Sequence, residues 1–144
     1  MRKIRILECS IQGDTRFSPQ YAKVHIFHDY DTIENLYLKC QKTKDNKQSV
    51  IGDIPHHLVI YFMYFDKKHL NSYLKLMWIK YLDENPHLVQ VLKDYDEYSD
   101  MFDGVFIQDS QADILRKYIK NGKDSLLEEC KDFLKLIKNK HWNQ

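Results

Sequence analysis

Hydrophobic positions change period along the chain, and each change marks an element. In KIRILEC (3–9), Ile4 and Ile6 fall on one face and Arg5 on the other, which predicts a strand. In YAKVHIFH (21–28), Ala22, Val24 and Ile26 share a face opposite Lys23 and His25, which predicts a second strand. The period then becomes helical: Ile33, Leu36, Tyr37 and Cys40 follow i, i+3, i+4, i+7. Asp31 is the expected N-cap, with Glu34 three residues on as its capping-box partner. QKTKDNKQS (41–49) carries no periodicity and is expected to be a mobile polar loop.

LVIYFMYF (58–65) is short and rich in β-branched and aromatic residues, as expected of one buried strand. Asp66 is placed to cap the helix after it. There Leu70, Tyr73, Leu74, Met77, Trp78, Tyr81 and Leu82 form an apolar stripe over more than three turns, the strongest periodic signal in the chain. Asn85-Pro86 ends it and opens a further helix, with Asn at the cap, Pro in the first turn, and Leu88, Val91, Leu92 and Tyr95 inward. DYDEYSDMFDGVF (94–106) sets acids among aromatics. Ser110 with Asp113 opens another helix, closed near Asn121-Gly122. Ser125 with Glu128 opens the last, with Leu126, Cys130, Phe133, Leu134 and Ile137 inward. A short β-rich N-terminal part followed by a mostly helical half predicts an α+β, helix-rich single domain, 1–144.

Composition narrows the function classes. The 22 basic and 21 acidic residues leave a net charge of +1, without the basic excess of proteins held on nucleic acid by phosphate neutralisation. Cys9, Cys40 and Cys130 are odd in number and widely spaced, with no CxxC. The start, MRKIRILECS, lacks the apolar core of a signal peptide, and the longest apolar run is too short to span a bilayer. The expectation is a cytoplasmic protein with reduced thiols and no membrane association. Oligomeric state is left open.

The candidate chemistry is sparse. His25 and His28 lie at i and i+3 of a strand, on opposite faces, and His56-His57 are adjacent; neither pair suits one metal ion. No metal and no cofactor is expected, and GxSxG, Walker and dinucleotide fingerprints are missing from the sequence. Glu34 beside Tyr37 is either a box cap or a half-buried acid with a raised pKa. Of Asp94, Asp96, Glu97, Asp100 and Asp103, Asp100 lies between Tyr98 and Phe102 and is the candidate inward acid. Trp78 and Tyr81 read first as core, with Lys80 projecting off their face. QGDTRFSP (12–19) holds Arg16, whose planar fork suits phosphate, beside a Gly that permits close backbone approach.

These features occur in a familiar order. RFSPQYAKVHIFHDYDTIENLYLKCQK, with its Phe17-Ser18 corner, Thr32-Ile33-Glu34 helix start and Tyr37, resembles the opening motif of the NADAR family. MWIKYLDENPHLVQVL, with Met77, Lys80-Tyr81 and Asn85-Pro86, is similar to a later family segment, and Asp100 with Phe102 to its late acid–aromatic pair. Leu38 replaces the usual Gln, and Phe102-Asp103-Gly104 replaces a Trp-Gly pair.

The resemblance implies a NADAR-like fold and N-glycosidase activity on a small nucleotide-type ligand, such as a riboflavin precursor or an ADP-ribosylated base, the latter extending to ADP-ribosylated nucleic acid. In that reading Glu34 and Asp100 are catalytic, Arg16 holds a phosphate, Phe17 or Trp78 stacks on the base, and Ser18, Tyr37 and Lys80 line the site. The alternatives are a non-catalytic, phage-type protein that sequesters a nucleotide signal, and a helical interaction module.

Overall fold

The computed structural model describes residues 3–100 and 109–137. Among these residues the protein is α+β, with six helices packed against small sheets. Strand β1 (Ile6–Glu8) pairs in parallel with β7 (Glu97–Ser99). Strands β2 (Lys23–Ile26) and β3 (Asp29–Thr32) form a hairpin that runs into helix α1 (Ile33–Lys39). Strands β4 (Gln41–Lys42), β5 (His57–Ile60) and β6 (Met63–Asp66) form an antiparallel sheet. Helices α2 (Leu70–Glu84), α3 (Pro86–Lys93), α4 (Gln111–Asn121), α5 (Lys123–Glu129) and α6 (Lys131–Ile137) follow.

Helix α2 is the axis of the core. Its expected stripe is buried, and so are Leu76, Ile79 and Lys75, because α1, β2, α3, α4 and α5 pack around it. The β2 alternation is as the sequence indicates, with Ala22, Val24 and Ile26 inward. The first strand is not: Ile4 and Ile6 are 72% and 57% exposed, while Leu7 and Cys9 are buried. Pairing with β7 sets this register, since Leu7 stands opposite the buried Tyr98.

Several boundaries move for local reasons. The N-cap of α1 is Thr32, whose Oγ1 accepts from Asn35 N–H at 3.1 Å; Asp31 instead accepts from Thr32 N–H and the Asn35 amide. The expected Asp31–Glu34 box is therefore replaced. Asn85 turns its amide back to Tyr81 O at 2.8 Å, closing α2 rather than capping α3. The polar stretch after Cys40 is built rather than formless: Thr43 and Lys47 pair, and Gln48 donates to Leu38 O and Gln41 O. The last expected helix is two, α5 beginning after Gly122 and breaking from α6 at Cys130. The Ser110–Asp113 capping box of α4 forms as the sequence indicates.

The largest departure is LVIYFMYF, which is a hairpin. Strand β5 ends at Ile60, β6 begins at Met63, and Tyr61-Phe62 make the turn at φ 48° and 65°. The β2–β3 turn has the same form, with Phe27 and His28 at φ 50° and 72°. Two-residue turns with both central φ positive normally use Asn-Gly. Bulky side chains there are strained, each by about 1–3 kcal/mol. Part of the compensation is visible: Phe27 is buried and stacks on Tyr61, rings 5.4 Å apart and 6° from parallel.

Charge also holds the helices. Lys75 on α2 meets Glu129 at 2.8 Å and Asp109 at 3.5 Å, and Lys117 on α4 meets the same two acids. Burial alone would raise the pKa of both acids, but the two ammoniums outweigh it and hold them below their ordinary values. Arg116 holds Glu97 down at about 2. Carboxylates with depressed folded pKa stabilise the fold above their unfolded values and lose that contribution as pH falls through the folded ones. His69, stacked on Phe133, has its pKa lowered by burial and works in the same direction from 6.5 downward. Thermal melts should thus show a shallow loss of stability below pH 6.5 and a steeper one below about pH 4.5. A melting temperature constant from pH 7 to pH 3 would contradict these assignments.

Candidate functional site

QGDTRFSP lies in the loop from Cys9 to Ala22. Asp14 caps a 3-10 turn over Thr15–Phe17, accepting from Arg16 N–H at 3.1 Å. The Arg16 fork folds back onto the same carboxylate, Nε at 2.9 Å and Nη2 at 2.6 Å. This bond holds the Asp14 carboxyl below its ordinary range. Tyr81 Oη donates to Arg16 O at 2.7 Å, locking the turn to α2. Arg16 thus closes its own loop. The Nε and Nη2 edge of the fork, expected to face a phosphate, donates to Asp14 instead.

Three other expected ligand contacts are core. Phe17, Tyr37 and Trp78 are buried, so no ring face is left for a base, and Trp78 stacks edge-on against Tyr81. Ser18 is also buried; its Oγ accepts from Gln20 N–H, and its carbonyl accepts from Tyr21 and Ala22. Lys80, on α2, is partly exposed.

Glu34 stands apart. It sits in the first turn of α1, half-buried, with its backbone N–H donating to Pro19 O at 2.9 Å. Thr32 performs the capping, so the Glu34 carboxyl is not used for it. Burial raises its pKa, against a lowering hydrogen bond from the Gln20 side chain. Gln20 is a residue that the motif reading misses, since only the folded corner brings it to Glu34.

Asp100 follows β7, accepts from Ser110 Oγ, and is partly buried. No hydrogen bond among the described residues joins Asp100 to Glu34, but one loop reaches both. Cys9 N–H donates to Ser99 O at 2.7 Å beside Asp100, and the same loop ends at the Pro19–Glu34 bond. Glu8 also belongs to this wall: its Oε2 accepts from Ser99 Oγ, while Oε1 is buried without a partner among the described residues. Phe102, Asp103 and Gly104 lie outside the described residues.

The cysteines are buried, and burial pushes Cys9 and Cys40 up to about 12 and Cys130 to about 11, which excludes a resting thiolate. Among the described residues no three His, Cys, Asp or Glu side chains converge as a metal site, and no helix is long and apolar enough to cross a membrane.

A concavity lies at the hairpin turns. A cavity of about 440 Å³ is lined by Phe27, His28, Asp29, Lys39, Lys42, Val59, Tyr61 and Phe62. Nothing in the sequence marks it, because neither turn carries Gly or Asn.

No protein-family profile matches the chain, no curated protein is significantly similar to it, and no solved structure matches it. The class that the fold defines is α+β.

Proposed function

We propose that this protein hydrolyses an N-glycosidic bond in a nucleotide or ADP-ribose-type ligand, with Glu34 as the working carboxyl. The supporting observation is the condition of that side chain. It is half-buried, relieved of capping by Thr32, steadied by Gln20, and raised in pKa by burial. A carboxyl tuned toward neutrality is suited to pass a proton in either direction.

In the proposed reaction Glu34 takes a proton from water as the oxygen attacks the anomeric carbon. The C–N bond breaks, its electron pair leaves with the base, and the proton is returned to that nitrogen. Asp100 takes the second role and opposes the positive charge that develops on the ribosyl centre. Arg16 serves by holding the loop that carries Pro19 and Gln20.

The test is incubation of the protein with ADP-ribose, NAD and an ADP-ribosylated oligonucleotide, followed by denaturation and chromatography. Free base together with free ribosyl product supports the proposal. Intact ligand recovered in stoichiometric amount replaces hydrolysis with sequestration, and neither retention nor cleavage of any of the three overturns both readings.

A further inference from the structure

The two strained turns form one structure. Phe27 and Tyr61 stack across the gap between the β2–β3 and β5–β6 hairpins, and His28 lies 5.7 Å from the Tyr61 ring. Phe27 contributes to the core, which accounts for its place. Phe62 does not: its ring is 91% exposed at φ 65°, touching Tyr61 at 5.9 Å. A bulky residue kept in the left-handed region without burial has no folding benefit to explain it, and strain of this kind is a pointer to function.

Two lysines share the lining with these rings. Lys39, in the last turn of α1, pairs with Asp29 at 3.4 Å. Lys42, on β4, has no acidic hydrogen-bond partner among the described residues. Two cations against one carboxylate leave the lining positive, and its volume falls in the range of small-molecule sites.

We propose that this cleft binds a nucleoside monophosphate, its base against Tyr61 and Phe62 and its phosphate on Lys42 and Lys39. Flat π-faces beside ammoniums select a ligand that is both planar and anionic. A nucleic-acid strand is disfavoured by the charge count: two lysines offer at most two phosphate contacts, on a chain of net charge +1. The site is distinct from Glu34. Glu34 does not line the cleft, which takes Lys39 from the other end of α1.

The test is calorimetric titration with AMP, adenosine and ribose 5-phosphate, with a dT oligonucleotide of 20 residues as the polymer arm. AMP is expected to bind 1:1 and more tightly than either fragment. Phe62→Gly should weaken AMP about fivefold or more, from the stacking lost, while raising the melting temperature, because Gly tolerates the turn's φ. Lys42→Gln should weaken AMP and leave adenosine unchanged. Glu34→Gln should leave AMP affinity unaltered, which separates this site from the hydrolase reading. AMP affinity indifferent to Phe62→Gly, no AMP binding at millimolar concentration, or tighter binding of the oligonucleotide with a salt dependence above two phosphates would each overturn the proposal.

Discussion

Glu34→Gln is expected to lower turnover of an N-glycosidic ligand by about 10²–10⁴-fold, the usual worth of a positioned acid–base group. It should do so without loss of stability. At neutral pH a half-buried carboxylate whose folded pKa is raised opposes folding, so replacing it by a neutral amide leaves the melting temperature unchanged or higher. The sign can be checked against pH. The wild-type protein binds the proton more readily folded than unfolded, so its deficit relative to the Gln variant should close as pH falls through the raised value. Thr32→Ala supplies the contrast: it should cost about 1 kcal/mol by removing the Oγ1 cap and leave turnover intact. The wild-type rate should show an acid limb displaced upward from the ordinary glutamate value, and the Gln variant none. Parental turnover in Glu34→Gln would remove the carboxyl from the mechanism.

The difference between Glu34 as cap and Glu34 as acid was a difference of one residue, and periodicity cannot resolve it. Asp31 and Thr32 both suit an N-cap, and the choice depends on where β3 stops; its last pair, Lys23 with Thr32, lies at the base of the hairpin. What the alternation did reveal was local: the buried face of β2, the α2 stripe, and the Ser110–Asp113 box are each specified by neighbours within one element. What it missed was set by partners distant in sequence. Ile4 and Ile6 face outward because Leu7 is claimed by Tyr98, some ninety residues away. Tyr61-Phe62 turn despite lacking turn chemistry, because Phe27 waits opposite Tyr61.

The same split holds for the sites. The Phe17-Ser18 corner and Glu34 stand out in the sequence as a motif, whereas the closure of the Arg16 fork on Asp14 shows only in the fold. Asp14 and Arg16 meet because a 3-10 turn folds the chain between them. The hairpin cleft was invisible for a different reason. Its lining comes from two turns, one helix end and three strands, and the single feature that distinguishes the turns is a backbone angle.

Gly13→Ala is expected to destabilise the protein by about 3 kcal/mol or more, lowering the melting temperature by roughly 10 °C. The cause is space rather than backbone angle, since Gly13 does not occupy the left-handed region. A Cβ there would stand 2.2 Å from Glu8 O, 2.4 Å from Glu8 Cβ and 2.6 Å from Glu8 Cγ. A side chain can swing aside; the Glu8 carbonyl cannot, because it accepts Asp14 N–H at 3.0 Å while its residue pairs with Ser99 in the parallel sheet. The loop must therefore lift from β1, straining the Asp14 bond and pulling on Phe17, which is fully buried three residues beyond Asp14. Adding Glu8→Ala to Gly13→Ala removes the Cγ contact and leaves the carbonyl, so the double variant should recover little stability. Full recovery would place the conflict in the side chain instead. Because this loop ends at Pro19, whose carbonyl receives Glu34 N–H, the displacement should also lower turnover in the protein that remains folded, and Gln12→Ala, exposed beside Gly13, should change neither.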